Sequence, residues 1–362
     1  MAIALLVPGL AFAQETPHPA APAASSPDPG FPSLPSDPLE VLKAAEPLYD
    51  YSIGEVKPWH MKVSYKTFDE DGKETDGQYE FWWAASKTYR STWTRAGMDS
   101  SDWAVDGVHY RQSKGPDLGY FERNLLWKLM HETPHADRLD PAKYSFTEEQ
   151  KSFGSVTLPC ITVDLANRPK LPDSVPLAVR LDSQMFVQTY CFDRNHPLLV
   201  AYSDGRELVA YSKLNRWQGH VLAREMTEYF GKRKALSATV DEVNEIAASS
   251  PELTPPPGLA PDAPAQPATI TSGIATGLLV NKVRPVYPLE DKYQHRSGTV
   301  VLFAEIGKDG HIHDLRSLGG PSRTLEQAAE DAVRQWEYKP YLLNGEPVAV
   351  ETTINVVFNL AP

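Results

Sequence analysis

The stretch GTVVLFAEIGKDG, residues 298–310, decides the fold of the C-terminal part of the chain. The residues that follow Gly298 are rich in β-branched and aromatic side chains, which favour a β-strand. Lys308, Asp309 and Gly310 then have the composition of a hairpin turn. Residues 311–318 can return as the second strand, so the pattern predicts an antiparallel pair.

The residues after this pair predict a helix and a final strand. Ser322 is a candidate N-cap, and apolar residues then recur at spacings of three and four. These apolar residues are Leu325, Ala328, Ala329, Ala332, Val333 and Trp336. Beyond an Asn344-Gly345 turn, residues 348–360 alternate between apolar and polar side chains, as a strand does. We therefore expect one small α+β module between about residues 283 and 360.

Several motifs of this module follow one another in an order and spacing that resemble a known family. They are Tyr287-Pro288, Gly298-x-Val300, Asp309-Gly310, Ala329-x-x-Ala332-Val333-x-x-Trp336-x-Tyr338-x-Pro340, Asn344-Gly345-x-Pro347-Val348 and Ile354-x-Val356-x-Phe358. Together they resemble the C-terminal domain of TonB-type energy transducers. The resemblance covers roughly the last quarter of the chain. It implies about three antiparallel strands backed by a helix, and a place in the periplasm.

The resemblance also implies a way of binding a partner. In that family an exposed strand edge takes up a short peptide segment of an outer-membrane transporter, and main-chain hydrogen bonds supply the affinity. The partner-binding positions carried over are Tyr287, Pro288, Thr352, Ile354, Val356 and Phe358. Two alternatives remain open. The last strand either closes only its own sheet or forms a homodimer, because an unpaired edge is equally open to a second copy.

Proline-rich stretches divide the 362 residues into segments. Residues 1–13 are expected to be the remnant of a secretory signal peptide. Residues 14–37 and 247–277 are rich in proline and alanine, which predicts a disordered tether and a semi-rigid linker. The remaining segments, 38–246 and 278–362, are then the two domains.

Charge and hydropathy limit the partners and the location. A formal net charge of −12 argues against nucleic acid or an anionic membrane surface as a partner, since both favour a basic face. No stretch approaches the about twenty apolar residues that a membrane helix needs. We therefore expect a periplasmic binding module in envelope transmembrane transport, with a transducer-type domain but without the anchor of a complete transducer. Its partner would be an outer-membrane transporter or another envelope protein.

Residues 38–246 predict an antiparallel meander with few helices. Strand signals occur at 59–68, 78–83, 88–94, 102–105, 108–112, 155–165, 184–192, 198–202, 207–214 and 218–230. Helices are expected at 38–45, capped by Asp37, and at 118–131. Such a meander tends to curl into a half-barrel, and its aromatic strands vaguely resemble periplasmic lipoprotein carriers of the LolA type. That resemblance implies a hydrophobic ligand on the concave face; the alternative is a packed core without a ligand.

Two histidine patterns bear on metal binding and catalysis. The sequence HETPH at 131–135 matches the H-E-x-x-H pattern of zinc proteases, but Pro134 lies between the histidines. Because proline removes a backbone donor and clashes with the preceding turn, we expect the helix to end before it. His311 and His313 share one side of a predicted strand and have no third ligand in view. We therefore predict no enzyme, no metal site and no cofactor.

Cys160 and Cys191 are the only two cysteines, and each lies within a predicted strand. In an exported protein an even number of cysteines favours a disulfide. Two buried reduced thiols are the alternative.

Overall fold

The computed structural model describes residues 30–360, apart from 52–54, 70, 117, 131–132, 134–135, 137–138, 168–186, 206, 232, 262–266 and 344. The predicted signal peptide, most of the predicted tether and both histidines of the 131–135 motif lie outside the described residues. Those predictions are therefore untested.

A large antiparallel sheet makes up the first domain, as the strand signals predict. Its strands are β1 (Trp59–Phe68), β2 (Glu74–Ala85), β3 (Thr88–Arg95), β4 (Met98–Val105), β5 (Val108–Lys114), β6 (Tyr144–Phe153), β7 (Val156–Leu165), β8 (Gln188–Phe192), β9 (Leu199–Ser203), β10 (Glu207–Trp217), β11 (His220–Phe230) and β12 (Arg233–Glu245). The spatial order of the 12 strands is β5-β4-β3-β2-β1-β12-β11-β10-β9-β8-β7-β6. Because β5 and β6 stay apart at the two ends, the sheet is open, which confirms the half-barrel-like fold.

Two strands of this sheet were not predicted, β6 and β12. The β6 sequence, YSFTEEQKSF, is mostly polar, and as an edge strand β6 leaves most of its side chains at least partly exposed. Its sequence therefore lacks the apolar alternation by which a half-buried strand is recognised. The β12 strand pairs with β1 through a register shift at Lys62 and Val63, which breaks the regular alternation.

Three helices cover the inner face of the sheet: α1 (Pro38–Tyr49), α2 (Tyr120–Arg123) and α3 (Leu125–Leu129). The predicted cap of α1 is confirmed, because the Asp37 carboxylate accepts the Glu40 N–H at 3.0 Å. The helix predicted at 118–131 is instead two short helices. Their side chains, such as Phe121 and Leu125, are buried in one core with the sheet. The described part of the inner face is thus packed with side chains, and the hydrophobic ligand stays a prediction.

A buried ionic cluster lies within this core. The Lys128 ammonium is 2.8 Å from the Glu207 carboxylate and forms a second ion pair with Glu228. The Tyr120 hydroxyl donates a hydrogen bond to Glu207. Burial lowers the pKa of Lys128, but the two carboxylates outweigh burial and raise it. Burial raises the pKa of Glu228, and the neighbouring Lys128 ammonium opposes that rise.

Cys160 and Cys191 face each other on β7 and β8 and form a disulfide. Replacing both with alanine is expected to lower the free energy of unfolding by about 3 kcal/mol, because the bond closes a loop of 31 residues in the unfolded chain. Urea unfolding of the two proteins measures this difference. A reducing agent should destabilise the natural chain by the same amount and leave the double variant unchanged; equal stability of all four samples would contradict the prediction.

The second domain is a small α+β unit. Its strands are β13 (Ala268–Thr269), β14 (Leu279–Asn281), β15 (Gly298–Ile306), β16 (Ile312–Gly319), β17 (Glu337–Tyr338), β18 (Tyr341–Leu343), β19 (Glu346–Val348) and β20 (Val350–Phe358), and its helices are α4 (Ser272–Leu278), α5 (Leu289–Tyr293) and α6 (Arg323–Val333). The main sheet has the order β13-β20-β15-β16. Its last three strands are antiparallel, as predicted. The two-residue β13 pairs parallel to β20 and comes from the region predicted as linker.

Local sequence features fix the ends of these elements. The Ser322 hydroxyl accepts the Leu325 N–H at 3.2 Å, which confirms the predicted N-cap of α6. The helix ends at Val333, earlier than predicted, and Trp336 remains buried beyond it. Gly310 in the β15–β16 turn has a φ of 82°, and a Cβ there would lie 2.0 Å from the Tyr338 carbonyl oxygen. Only glycine fits this turn.

Candidate functional site

The outer side of β20 is the candidate site. β20 pairs with β15 along its whole length without a register shift. On its other side the carbonyls of Ala349 and Glu351 accept the N–H groups of Ala268 and Ile270, at 2.8 and 2.9 Å. These residues belong to β13 and the position directly after it. Among the described residues, no strand continues this pairing beyond Glu351.

The pleat of β20 determines to which side each residue points its backbone N–H and C=O groups. Residues two apart in a strand point their N–H and C=O groups to the same side. Because Glu351 points toward β13, Thr353, Asn355 and Val357 point their N–H and C=O groups the same way, away from β15. Beyond Thr353, the backbone donors and acceptors of Asn355 and Val357 are therefore presented along the outer side of β20, which is its open half.

A groove of about 760 Å³ runs beside this open half. One wall is β20 itself, including Asn355 and Val357. The opposite wall comes from the segment before α5, with Lys282, Arg284 and Tyr287, and from Trp336 after α6. The groove thus combines a strand edge with aromatic and basic side chains.

Hydrogen bonds and ring contacts hold the second wall in place. The Trp336 indole N–H donates to the Val283 carbonyl at 2.8 Å. The Tyr287 hydroxyl donates to the Arg296 carbonyl, and its ring meets Phe358 edge-on at 5.3 Å between centroids. Since both aromatic anchors are bonded to the backbone, the groove is preformed rather than dependent on closure.

Several exposed apolar side chains are close in sequence to the residues of the second wall. Val286 and Tyr293 are each 82% exposed, and Leu289 is 68% exposed. Leu289 and Tyr293 lie four residues apart on α5, so they share one face of the helix. Exposed apolar surface of this kind is typical of contact sites.

The six predicted partner-binding residues have different positions around the site. Thr352, Ile354, Val356 and Phe358 are buried, with at most 5% of each side chain exposed, and the last three belong to the core of the second domain. Tyr287 lines the groove, and Pro288 caps α5 with extended backbone. The strand therefore presents backbone rather than these four side chains. The alternation in the sequence places these four residues on one face of the strand, but it does not say which edge of the strand is open.

The histidines of the β15–β16 hairpin have local partners. His313 Nε2 lies 3.1 Å from the Asp309 carboxylate, and the backbone of His311 forms an isolated antiparallel β-bridge with that of Glu337. Within the described ranges, no group of three or more side chains is arranged to hold a metal ion. The same ranges contain no helix that is long and apolar enough to cross a membrane.

Comparisons with known proteins identify the second domain. Residues 283–360 match the family model of the Gram-negative bacterial TonB protein C-terminal domain. Protein TonB of Vibrio cholerae serotype O1 is 32% identical over 107 residues, which are 27% of this chain and 43% of that protein. The solution structure of the Pseudomonas aeruginosa TonB C-terminal domain is 27% identical and covers 23% of this chain and 86% of that one, with a TM-score of 0.21.

The first domain has structural neighbours of another kind. The crystal structure of a putative outer membrane lipoprotein-sorting protein domain from Vibrio parahaemolyticus covers 57% of this chain and 91% of that one, with 8% identity and a TM-score of 0.35. The chain spans less than half the length of the curated TonB relatives it matches. Over residues 283–360 the chain therefore matches the TonB C-terminal family, the family that its sequence motifs resemble.

Proposed function

We propose that the chain is a periplasmic binding module in envelope transport, and that the open half of β20 takes up an extended segment of an outer-membrane transporter or another envelope protein. The observation that supports this proposal most directly is the pair of outward backbone positions at Asn355 and Val357, which line the groove and which no described strand pairs. The match of residues 283–360 to the TonB C-terminal family supports the class of partner.

The chemistry of the site is that of β-augmentation. A peptide strand that lies along β20 forms main-chain hydrogen bonds with Asn355 and Val357, which gives affinity with little dependence on the peptide sequence. Its alternate side chains meet Tyr287 and Trp336 in the groove, and these contacts select among peptides. The proposed function is therefore non-covalent binding of a peptide segment.

Fluorescence anisotropy with labelled synthetic peptides tests this proposal. The peptides are 15-residue segments tiled across the periplasm-facing parts of outer-membrane transporters from the same genome. A subset is expected to bind one per chain, and the same peptides with proline at alternate positions should not bind, because they lack the donors that pair with β20. Equal binding of the proline-containing peptides, or no binding by any peptide, contradicts the proposal.

A homodimer through β20 uses the same backbone groups. Sedimentation equilibrium with and without a bound peptide distinguishes the two arrangements. If the chain dimerises through this edge, a binding peptide must dissociate the dimer. A dimer that persists with peptide bound uses another surface.

A further inference from the structure

The face of the C-terminal sheet opposite α6 is buried against the N-terminal domain. Phe303 of β15 is 1% exposed and belongs to the hydrophobic core of the first domain, not to that of the second. Its ring lies 5.0 Å from Tyr120 and 5.6 Å from Phe230, measured between centroids. One aromatic side chain of the second domain thus fills a slot in the first.

Charged groups surround this aromatic contact. The Arg123 guanidinium of α2 lies 2.7 Å from Glu305 and 3.4 Å from Glu351, so one cation joins β15 and β20 to the first domain. In the other direction, the guanidinium of Arg316 on β16 lies 4.2 Å from the ring centre of Phe121. The contact is therefore apolar at its centre and charge-paired at its rim, as in stable protein interfaces.

The first domain also covers part of β16, the edge strand that lies beside β15 in the C-terminal sheet. Among the strands that the structure describes, β16 pairs with β15 on one side and with none on the other. On its other side, Arg233 at the start of β12 donates to the Ser317 carbonyl at 3.1 Å. The backbone at Gly231 lies so close to β16 that a Cβ there would be 3.3 Å from the Leu318 carbonyl oxygen. The β11–β12 turn thus occupies the end of β16 where a further strand would add.

A hydrogen bond fixes the ring of Tyr120, one of the two aromatic residues of the first domain that contact Phe303. Tyr120 packs on Phe303, and its hydroxyl donates a hydrogen bond to Glu207, which belongs to the buried cluster with Lys128. Because the Tyr120 ring is attached to α2 at one end and hydrogen-bonded to Glu207 at the other, it offers Phe303 a preformed surface, which lowers the entropy cost of docking.

We propose that the N-terminal domain is an intramolecular docking platform for the C-terminal sheet. By covering the Phe303 face and the outer side of β16, it leaves the main sheet of the second domain one open strand edge among the described residues, that of β20. Since an uncovered strand edge can pair with other chains, the docked arrangement keeps a partner strand of this sheet to β20 and prevents self-association through β16. This inference does not depend on which partner β20 binds.

The test compares Phe303→Asp with a matched control, Val357→Asp. Both residues lie on the same face of the same sheet, but Val357 is 58% exposed whereas Phe303 is 1% exposed. Small-angle scattering should give a larger radius of gyration for Phe303→Asp, and light scattering after gel filtration should show its mass rising from one chain to two with concentration. Val357→Asp should keep the natural radius and mass. An unchanged radius for Phe303→Asp, or separated domains that stay monomeric, overturns the proposal.

A second pair of variants tests the charged rim of the contact instead of its aromatic centre. Arg123→Glu places a carboxylate against Glu305 and Glu351, so it is expected to increase the radius of gyration in the same way. Adding Glu305→Arg to this variant restores one opposite-charge pair and should bring the radius back toward that of the natural chain. If Arg123→Glu leaves the radius unchanged, the charged rim does not hold the domains together and the proposed platform is wrong.

Discussion

Replacing Asn355 with proline is expected to abolish partner binding at β20 while the domain stays folded. The Asn355 N–H points away from β15, so its loss removes no hydrogen bond of the sheet. Proline is tolerated in a strand where the missing N–H faces an open edge. An incoming strand, however, loses one main-chain partner and meets the pyrrolidine ring. We expect an affinity loss of at least about tenfold, since one hydrogen bond of about 1.4 kcal/mol corresponds to that factor.

The neighbouring variant Ile354→Pro is the control for this prediction. Ile354 faces Leu302 across the ladder, and its N–H points toward β15. Proline at this position breaks the sheet and should destabilise the domain by about 3 kcal/mol. Anisotropy titration measures the affinity, and thermal unfolding measures the stability. An Asn355→Pro variant that binds peptide as tightly as the natural chain would show that the partner does not pair with this edge.

Replacing Lys128 with methionine is expected to lower the free energy of unfolding of the first domain by about 3–5 kcal/mol. Lys128 is 2% exposed and is the cation between Glu207 and Glu228. Methionine keeps most of the side-chain volume, so the effect comes from the charge. Glu207 is then left in the core without a cation, and a buried unpaired carboxylate is costly. Urea unfolding monitored by circular dichroism measures the loss.

An exposed lysine provides the matched control. Lys43 on α1 pairs with Glu40 at 2.7 Å, and both side chains are about half exposed. Lys43→Met should change the free energy of unfolding by less than about 1 kcal/mol, because water screens the pair. If Lys128→Met and Lys43→Met have equal effects, the buried cluster does not stabilise the domain as described.

The sequence predicted the second domain well because its signals are local. The Asp309-Gly310 turn, the Ser322 cap and the three-to-four spacing of the apolar residues in α6 each depend on a few neighbouring residues. The two strands missed in the first domain lack such signals. β6 is a polar edge strand, and β12 becomes a central strand only through pairing with β1, far away in the sequence.

The partner-binding role of the residues named from the sequence stays a prediction. Alternation in residues 350–358 identified Thr352, Ile354, Val356 and Phe358 as one set, and the structure places that set against the interior of its own domain. A partner strand needs backbone groups on the open edge, and those belong to the residues in between. The docking of Phe303 was not predicted either. The apolar run of residues 300–304 indicates that both faces of β15 are covered, but it does not say by what.

The most direct test of the proposed edge is amide hydrogen exchange of β20, measured by NMR with and without a bound transporter peptide. We expect the amides of Asn355 and Val357 to exchange quickly in the free chain and slowly in the complex. The amides of Thr352, Ile354 and Val356 should exchange slowly in both, because they face β15. A peptide that binds while the amides of Asn355 and Val357 keep their exchange rates would contradict the central claim that β20 is the partner-binding edge.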